Sequence, residues 1–151
     1  MRSVPVLLAI FVLACRPMGE TPGLRLGGSD AGSPASFAFA RDHEEIQLEA
    51  WGSVFPRVVN IWCVGFDDAL YVWGDPGSGW VKRVAERPDE VRVRIGDRVY
   101  ELSAAEVDAA AEKKRVVAAY KEKYAEALDE LFGRSATVDD FELLYRLTPR
   151  S

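Results

Sequence analysis

The stretch at residues 56–102, PRVVNIWCVGFDDALYVWGDPGSGWVKRVAERPDEVRVRIGDRVYEL, decides how this chain folds. Residues 57–66 are β-branched and aromatic, in an apolar run too continuous for a strand open to water on one face. Asp67-Asp68 closes a hairpin, and residues 69–73 return from it. Residues 74–79, GDPGSG, read as a loop, and Ser78 sits where an N-cap would start a helix over Gly79–Glu86 that ends before Pro88. Trp80, Val81 and Val84 share one face of that helix, while Lys82, Arg83 and Glu86 lie largely elsewhere. Residues 90–95 alternate Val91, Val93 and Ile95 against Arg92 and Arg94, which assigns both arginines to the wet side of a strand. Gly96-Asp97 is a two-residue hairpin signal, and residues 98–102 pair back.

Working outward, residues 45–51 alternate Ile46, Leu48 and Ala50 against Gln47 and Glu49, the period of a half-buried strand. Residues 52–56 break that pattern as a turn. Downstream, the strand entered at Arg98 is expected to run to about Val107, although Ser103–Glu106 also fits a helix-starting capping box. A helix is expected over residues 108–131, with Val116, Val117, Tyr120, Tyr124, Leu128 and Leu131 as its buried stripe and Gly133 as its stop. Residues 141–148 alternate again and supply a closing strand. The expected fold class is α+β: about six mostly antiparallel strands, a short helix between hairpins and one longer helix before the last strand. Both faces of the strands carry apolar residues, which argues for a barrel over an open sheet.

The N-terminus reads as delivery. Arg2 precedes an apolar run from Val4 to Leu13, shorter than the ~20 residues a membrane-spanning helix needs and suited to a secretory signal. Val12-Leu13-Ala14-Cys15 resembles the lipobox of bacterial lipoproteins, in which the cysteine is diacylated and becomes the mature N-terminus; Leu13 is bulky for its place. A conventional signal peptide cut nearby, with Cys15 incidental, is the other reading. On the lipoprotein reading, residues 1–14 are signal, 15–38 are a flexible Gly/Pro/Ser-rich tether, and 39–151 are the barrel domain. The partner of the N-terminal lipid is then a membrane, and the location is the bacterial cell envelope, at the outer membrane facing the periplasm. With Cys15 lipidated, Cys63 has no partner and is expected to be buried as a small hydrophobe.

Several chemistries find no support. One histidine, His43, and one free thiol cannot build a metal cluster, and His43 lies in a different segment from Cys63. Losing Arg2 makes the mature net charge one unit more negative than the −5 of the whole chain, and no basic patch argues for nucleic acid.

Taken in order, the hairpins, the Gly-Trp helix start at residues 79–84, Pro88, residues 91–102, Tyr120-Lys121-Glu122-Lys123-Tyr124 and Leu147-Thr148-Pro149-Arg150 resemble the split β-barrel of flavin- and deazaflavin-dependent oxidoreductases. The likeness covers residues 45–150 and is nearest to the small deazaflavin-dependent nitroreductase-like branch. It implies FMN or a deazaflavin in a groove at a homodimer interface or across the barrel mouth. In that family a basic Arg-Lys-(Ser/Thr)-Gly turn ahead of a Pro-Arg strand start holds the phosphates. Here the turn is Trp51-Gly52-Ser53-Val54-Phe55-Pro56-Arg57, which keeps Gly52, Ser53 and Arg57 and lacks the lysine. The resemblance places a second contact region at Trp73, Gly74, Ser78, Gly79, Trp80 and Lys82, residue types that suit a flat ring with a charged tail. The same tryptophans serve equally as core, and the same lysine as a solvated helix charge. Two readings therefore stay open: a cofactor-binding barrel that reduces small molecules, and a cofactor-free binding or interaction module.

Overall fold

The computed structural model describes residues 25–150 and the backbone of Thr21–Pro22. The signal segment, Cys15 and most of residues 15–24 lie outside the described residues. The fold is a closed six-stranded antiparallel barrel with two α-helices: β1 (Glu45–Trp51), β2 (Pro56–Phe66), β3 (Ala69–Gly74), α1 (Gly79–Glu86), β4 (Val91–Ile95), β5 (Arg98–Glu106), α2 (Ala110–Phe132) and β6 (Leu143–Pro149). Pairing runs β1-β2-β3-β6-β5-β4 and back to β1, so no barrel strand is left as an open edge along its whole length. Two short pairings add the N-terminal chain, Thr21–Pro22 antiparallel to β2 and Ser29–Asp30 parallel to β5.

Alternation along the strands builds two cores. Inward-facing Ile46, Leu48, Val93, Leu102 and Leu147 fill the barrel, and Trp80, Val81 and Val84 of α1 plug one mouth. Gly74 permits that plug: a Cβ there would project into the Trp80 ring and reach 2.5 Å from Val81 Cγ2. Outward-facing Val64, Tyr71 and Leu144 meet Val116, Val117, Tyr120, Tyr124 and Leu128 of α2 in the second core. The expected helical stripe is buried through Leu128, but Leu131 is 58% exposed. Tyr124 leaves helical geometry (φ −122°, ψ 29°), and beyond it Leu128 and Phe132, in place of Leu131, carry the packed face onward. Gly133 then ends α2 in the left-handed conformation at φ 65°, which costs a glycine little. The last strand begins at Leu143, two residues later than the alternation predicted, behind a 3-10 turn at Val138–Asp140.

Residues 25–38, expected from composition to be tether, lie against the barrel. Leu26 and Phe37 are buried, and Ala31 N–H donates to Val99 O at 2.8 Å. This strap covers the outer face of β1 and β4, where Glu49 and Arg92 stand opposite each other. Arg92, expected on a wet face, is therefore only 9% exposed, and Glu49 is fully buried. Cys63 is buried as its apolar run implied. Among the described residues no helix is long and apolar enough to cross a membrane.

Candidate functional site

The sequence-predicted residues divide between the two sides of the β3 wall. At the α1 mouth, the β1–β2 turn is held by Gly52 N–H donating to Phe55 O at 3.2 Å. That bond removes the Gly52 N–H from the donors available to a phosphate. A Cβ on Gly52 would come within 3.1 Å of Arg83 Nε, so the α1 guanidinium lies over the turn. Ser53 is exposed, and Arg57 sits opposite Ala50 in the register. Ala50 is a barrel-core residue, so Arg57 lies on the inner side at the mouth's rim. Lys82 projects from α1 into solvent. The structure thus gathers Gly52, Ser53, Arg57 and α1 at one mouth.

The ring-binding half of the prediction is arranged differently. Gly74 and Trp80 pack on each other, and Trp80 meets Tyr145 edge-on at 6.3 Å between centroids. Trp73 faces the other way, with its ring 4.8 Å from Phe141 and 5.8 Å from Phe132 in the α2 core. Ser78 occupies the N-cap position ahead of Gly79, yet its side chain makes no cap bond and its Oγ is buried without a partner. Of this set, that hydroxyl is the one buried side-chain polar atom left without a partner.

Grooves among the described residues lie elsewhere. One of about 410 Å³ runs between residues 30–34 and the β5 segment at Tyr100–Leu102, closed by Pro149 and Arg150. Two more, of about 510 and 400 Å³, flank Lys123 and share Arg41 and Glu122. None of the nine predicted residues lines these grooves.

Two polar nodes escaped the sequence reading. At the first, Glu49 accepts from Leu26 N–H and from Arg92 Nη1, whose contact with Oε2 is 3.3 Å, while Arg92 Nη2 meets Asp30 at 3.5 Å. Arg92 Nε is buried without a partner. At the second, the Tyr120–Tyr124 motif fills carbonyls freed where β2 and β3 part beyond Cys63 and Val72. Lys123 Nζ donates to Ala40 O at 2.9 Å, His43 O at 2.7 Å and Cys63 O at 2.8 Å. Tyr124 OH donates to Glu44 O at 2.6 Å and accepts from Cys63 N–H at 3.1 Å. Tyr120 OH bridges Trp62 O and Tyr71 O. Burial lowers the Lys123 pKa and pushes the Cys63 thiol up to about 11, so the thiol stays protonated near neutrality. Among the described residues no group of His, Cys, Asp and Glu is placed to hold a metal ion.

Residues 40–139, from the end of the strap through α2, match the model of a family described as "Uncharacterized protein conserved in bacteria (DUF2255)". The chain belongs to DUF2255. Solved structures share the fold of this DUF2255 chain at low identity. The heme storage protein HutZ from Vibrio cholerae aligns with TM-score 0.57 and 16% identity, over 75% of this chain and 87% of its own. An F420-H2 dependent reductase aligns with TM-score 0.56 and 15% identity, over 81% and 98%. An FAD-binding protein from Mesorhizobium loti aligns with TM-score 0.53 and 16% identity, over 74% and 82%. No curated protein matches this DUF2255 chain. At these identities the likeness is one of fold: the split barrel used by flavin, F420 and heme proteins.

Proposed function

We propose that this DUF2255 chain is a lipid-anchored envelope protein whose barrel binds a phosphorylated cofactor of flavin or deazaflavin type at the α1 mouth. The observation that carries this reading is the convergence of Ser53, Arg57 and the Lys82-bearing helix around one glycine turn. The Ser53 hydroxyl and the Arg57 guanidinium would hold a phosphate by charge-assisted bonds, and exposed Lys82 would add a point charge. Such a group supplies hydride chemistry when bound, and the protein's part is to fix and orient it. The names of the structural neighbours, which mention FAD, F420-H2 and heme, support a cofactor role for the barrel.

The fit is good for the tail and poor for the ring. Gly74 is filled by α1 and Trp73 serves the α2 core, so one copy of this chain offers no slot for a flat ring at that mouth. A second copy would have to supply the missing wall. That same packing favours the alternative, a cofactor-free binding module that keeps the barrel.

Comparing FMN with riboflavin tests the reading, because the two differ only in the phosphate. A mature chain carrying Cys15→Ser should bind FMN at least tenfold more tightly, and Arg57→Ala should erase the difference. Equal affinities would remove the phosphate site from this mouth. For the anchor, Cys15→Ser should move the full chain from the detergent phase to the aqueous phase; unchanged partitioning would sink it.

A further inference from the structure

Two adjacent apolar side chains stand out on the described surface. Val54 and Phe55, at the tip of the β1–β2 turn, are 67% and 68% exposed. The other large apolar side chain so exposed, Leu131, lies alone near the end of α2. Side by side, they make a small contiguous apolar patch.

The path of the N-terminal chain says what covers this one. Thr21 pairs with Val58 and Pro22 with Arg57, at the base of the same turn. Cys15 is six residues earlier, a reach of about 20 Å at full extension. Beyond Pro22 the chain is fastened again, by Leu26 N–H on the Glu49 carboxylate and by Ser29 and Ala31 on the β4–β5 end. A lipid on Cys15 therefore sits on a short leash whose fixed end, Thr21 opposite Val58, lies three residues along β2 from Phe55. Lys82 projects from α1 at the same mouth, on the side an anionic headgroup would meet.

We propose that the Val54–Phe55 tip rests in the headgroup–acyl boundary of the bilayer that holds the Cys15 lipid, so that the barrel docks by its β1–β2 turn. Apolar side chains at such a boundary sink to a depth of about 5–10 Å. The inference rests on the lipid-anchor reading; it shares the β1–β2 turn and Lys82 with the cofactor reading, and the labels below read docking whether or not FMN binds. It replaces a head held off the membrane by a slack tether with a head seated on it.

The test uses the full lipidated chain with an environment-sensitive fluorophore on Phe55→Cys or, in a second variant, Val54→Cys. Buried Cys63 does not compete for the label. A control label goes on Asp97→Cys in the β4–β5 hairpin, at the opposite end of the barrel, where the side chain is 98% exposed. In vesicles of phosphatidylethanolamine with a minority of phosphatidylglycerol, labels at 54 and 55 should shift to the blue and become protected from aqueous iodide. They should also be quenched by lipids brominated in the acyl chain, while the label at 97 stays water-like. Protein that pellets with the vesicles while all three labels stay water-like would overturn the docking and leave the anchor standing. Protein that does not pellet would overturn both.

Discussion

Replacing Glu49 with alanine is the sharpest probe of how the N-terminal strap is held. The carboxylate is fully buried and satisfies two groups at once, the Leu26 N–H and the Arg92 guanidinium. Removing it orphans a buried amide and leaves a buried cation whose Nε already lacks a partner. Asp30 remains 3.5 Å from Arg92 Nη2, but its side chain is 85% exposed, so it offsets less than about 1 kcal/mol. Breaking a buried pair from one side costs about 3–5 kcal/mol. With a urea dependence of about 1–3 kcal/mol per molar, the unfolding midpoint should fall by roughly 1–5 M. Hydrogen exchange supplies the local readout, since the Leu26 amide should lose its protection in the variant. Replacing both partners, Glu49→Leu with Arg92→Met, should recover part of the loss, because two apolar side chains carry no uncompensated charge while the Leu26 N–H stays unpaired. A Glu49→Ala cost below about 1 kcal/mol with Leu26 still protected would refute this account of the strap.

Gly74→Ala forces a methyl group into the Trp80 ring and Val81, and should cost about 1–3 kcal/mol by chemical denaturation while shifting tryptophan emission. Arg57→Ala should weaken FMN binding about tenfold or more, the scale of a charge-assisted hydrogen bond, and Lys82→Ala only a few-fold because that side chain is exposed; calorimetric titration reads both. Stability should fall on the alkaline side. Burial raises the Cys63 thiol from 9.0 to about 11 and, together with the Glu112 hydrogen bond, the Tyr71 phenol from 10.0 to about 12; Tyr120, Tyr124 and Tyr145 shift the same way. The unfolded chain releases these protons at lower pH, so their contribution is intact below about pH 9 and is lost as pH rises through the folded values. Lys123, lowered by burial from 10.5, works in the opposite direction as a single group. Urea midpoints measured from pH 8 to 11 should therefore decline, and a flat profile would contradict the buried tyrosine network.

The strands and α1 were legible because their patterns are local. Gly96-Asp97 marks a hairpin by itself, and the Trp80, Val81, Val84 face marks a helix that must dock. The end of β5 was also legible, since alternation through Ala104 outweighed the capping-box pattern and the strand runs to Glu106. What resisted reading depends on cover arriving from far along the chain. Glu49 and Arg92 carry the signature of a solvated strand face, and only the strap at residues 25–31 turns that face into interior. The strap itself is compositionally loose, and two buried side chains, Leu26 and Phe37, hold it down among small and polar residues. Similarly, Lys123 reads as a charge on a helix surface, until the parting of β2 and β3 leaves carbonyls for it to fill. For the candidate site, several of the residues named from the sequence fall at the α1 mouth, but residue types could not tell that Gly74 makes room for Trp80 or that Trp73 faces α2.

The central claim, that this barrel takes a flavin-type cofactor, is tested most directly by visible absorption. FMN and, separately, a deazaflavin would be titrated with the mature chain carrying Cys15→Ser and retaining the strap, because Phe37 is fully buried. The account predicts a saturable spectral shift with at least one of them, at micromolar affinity or better. No shift with either, from protein that unfolds cooperatively, would contradict it and leave the cofactor-free module as the function of the fold.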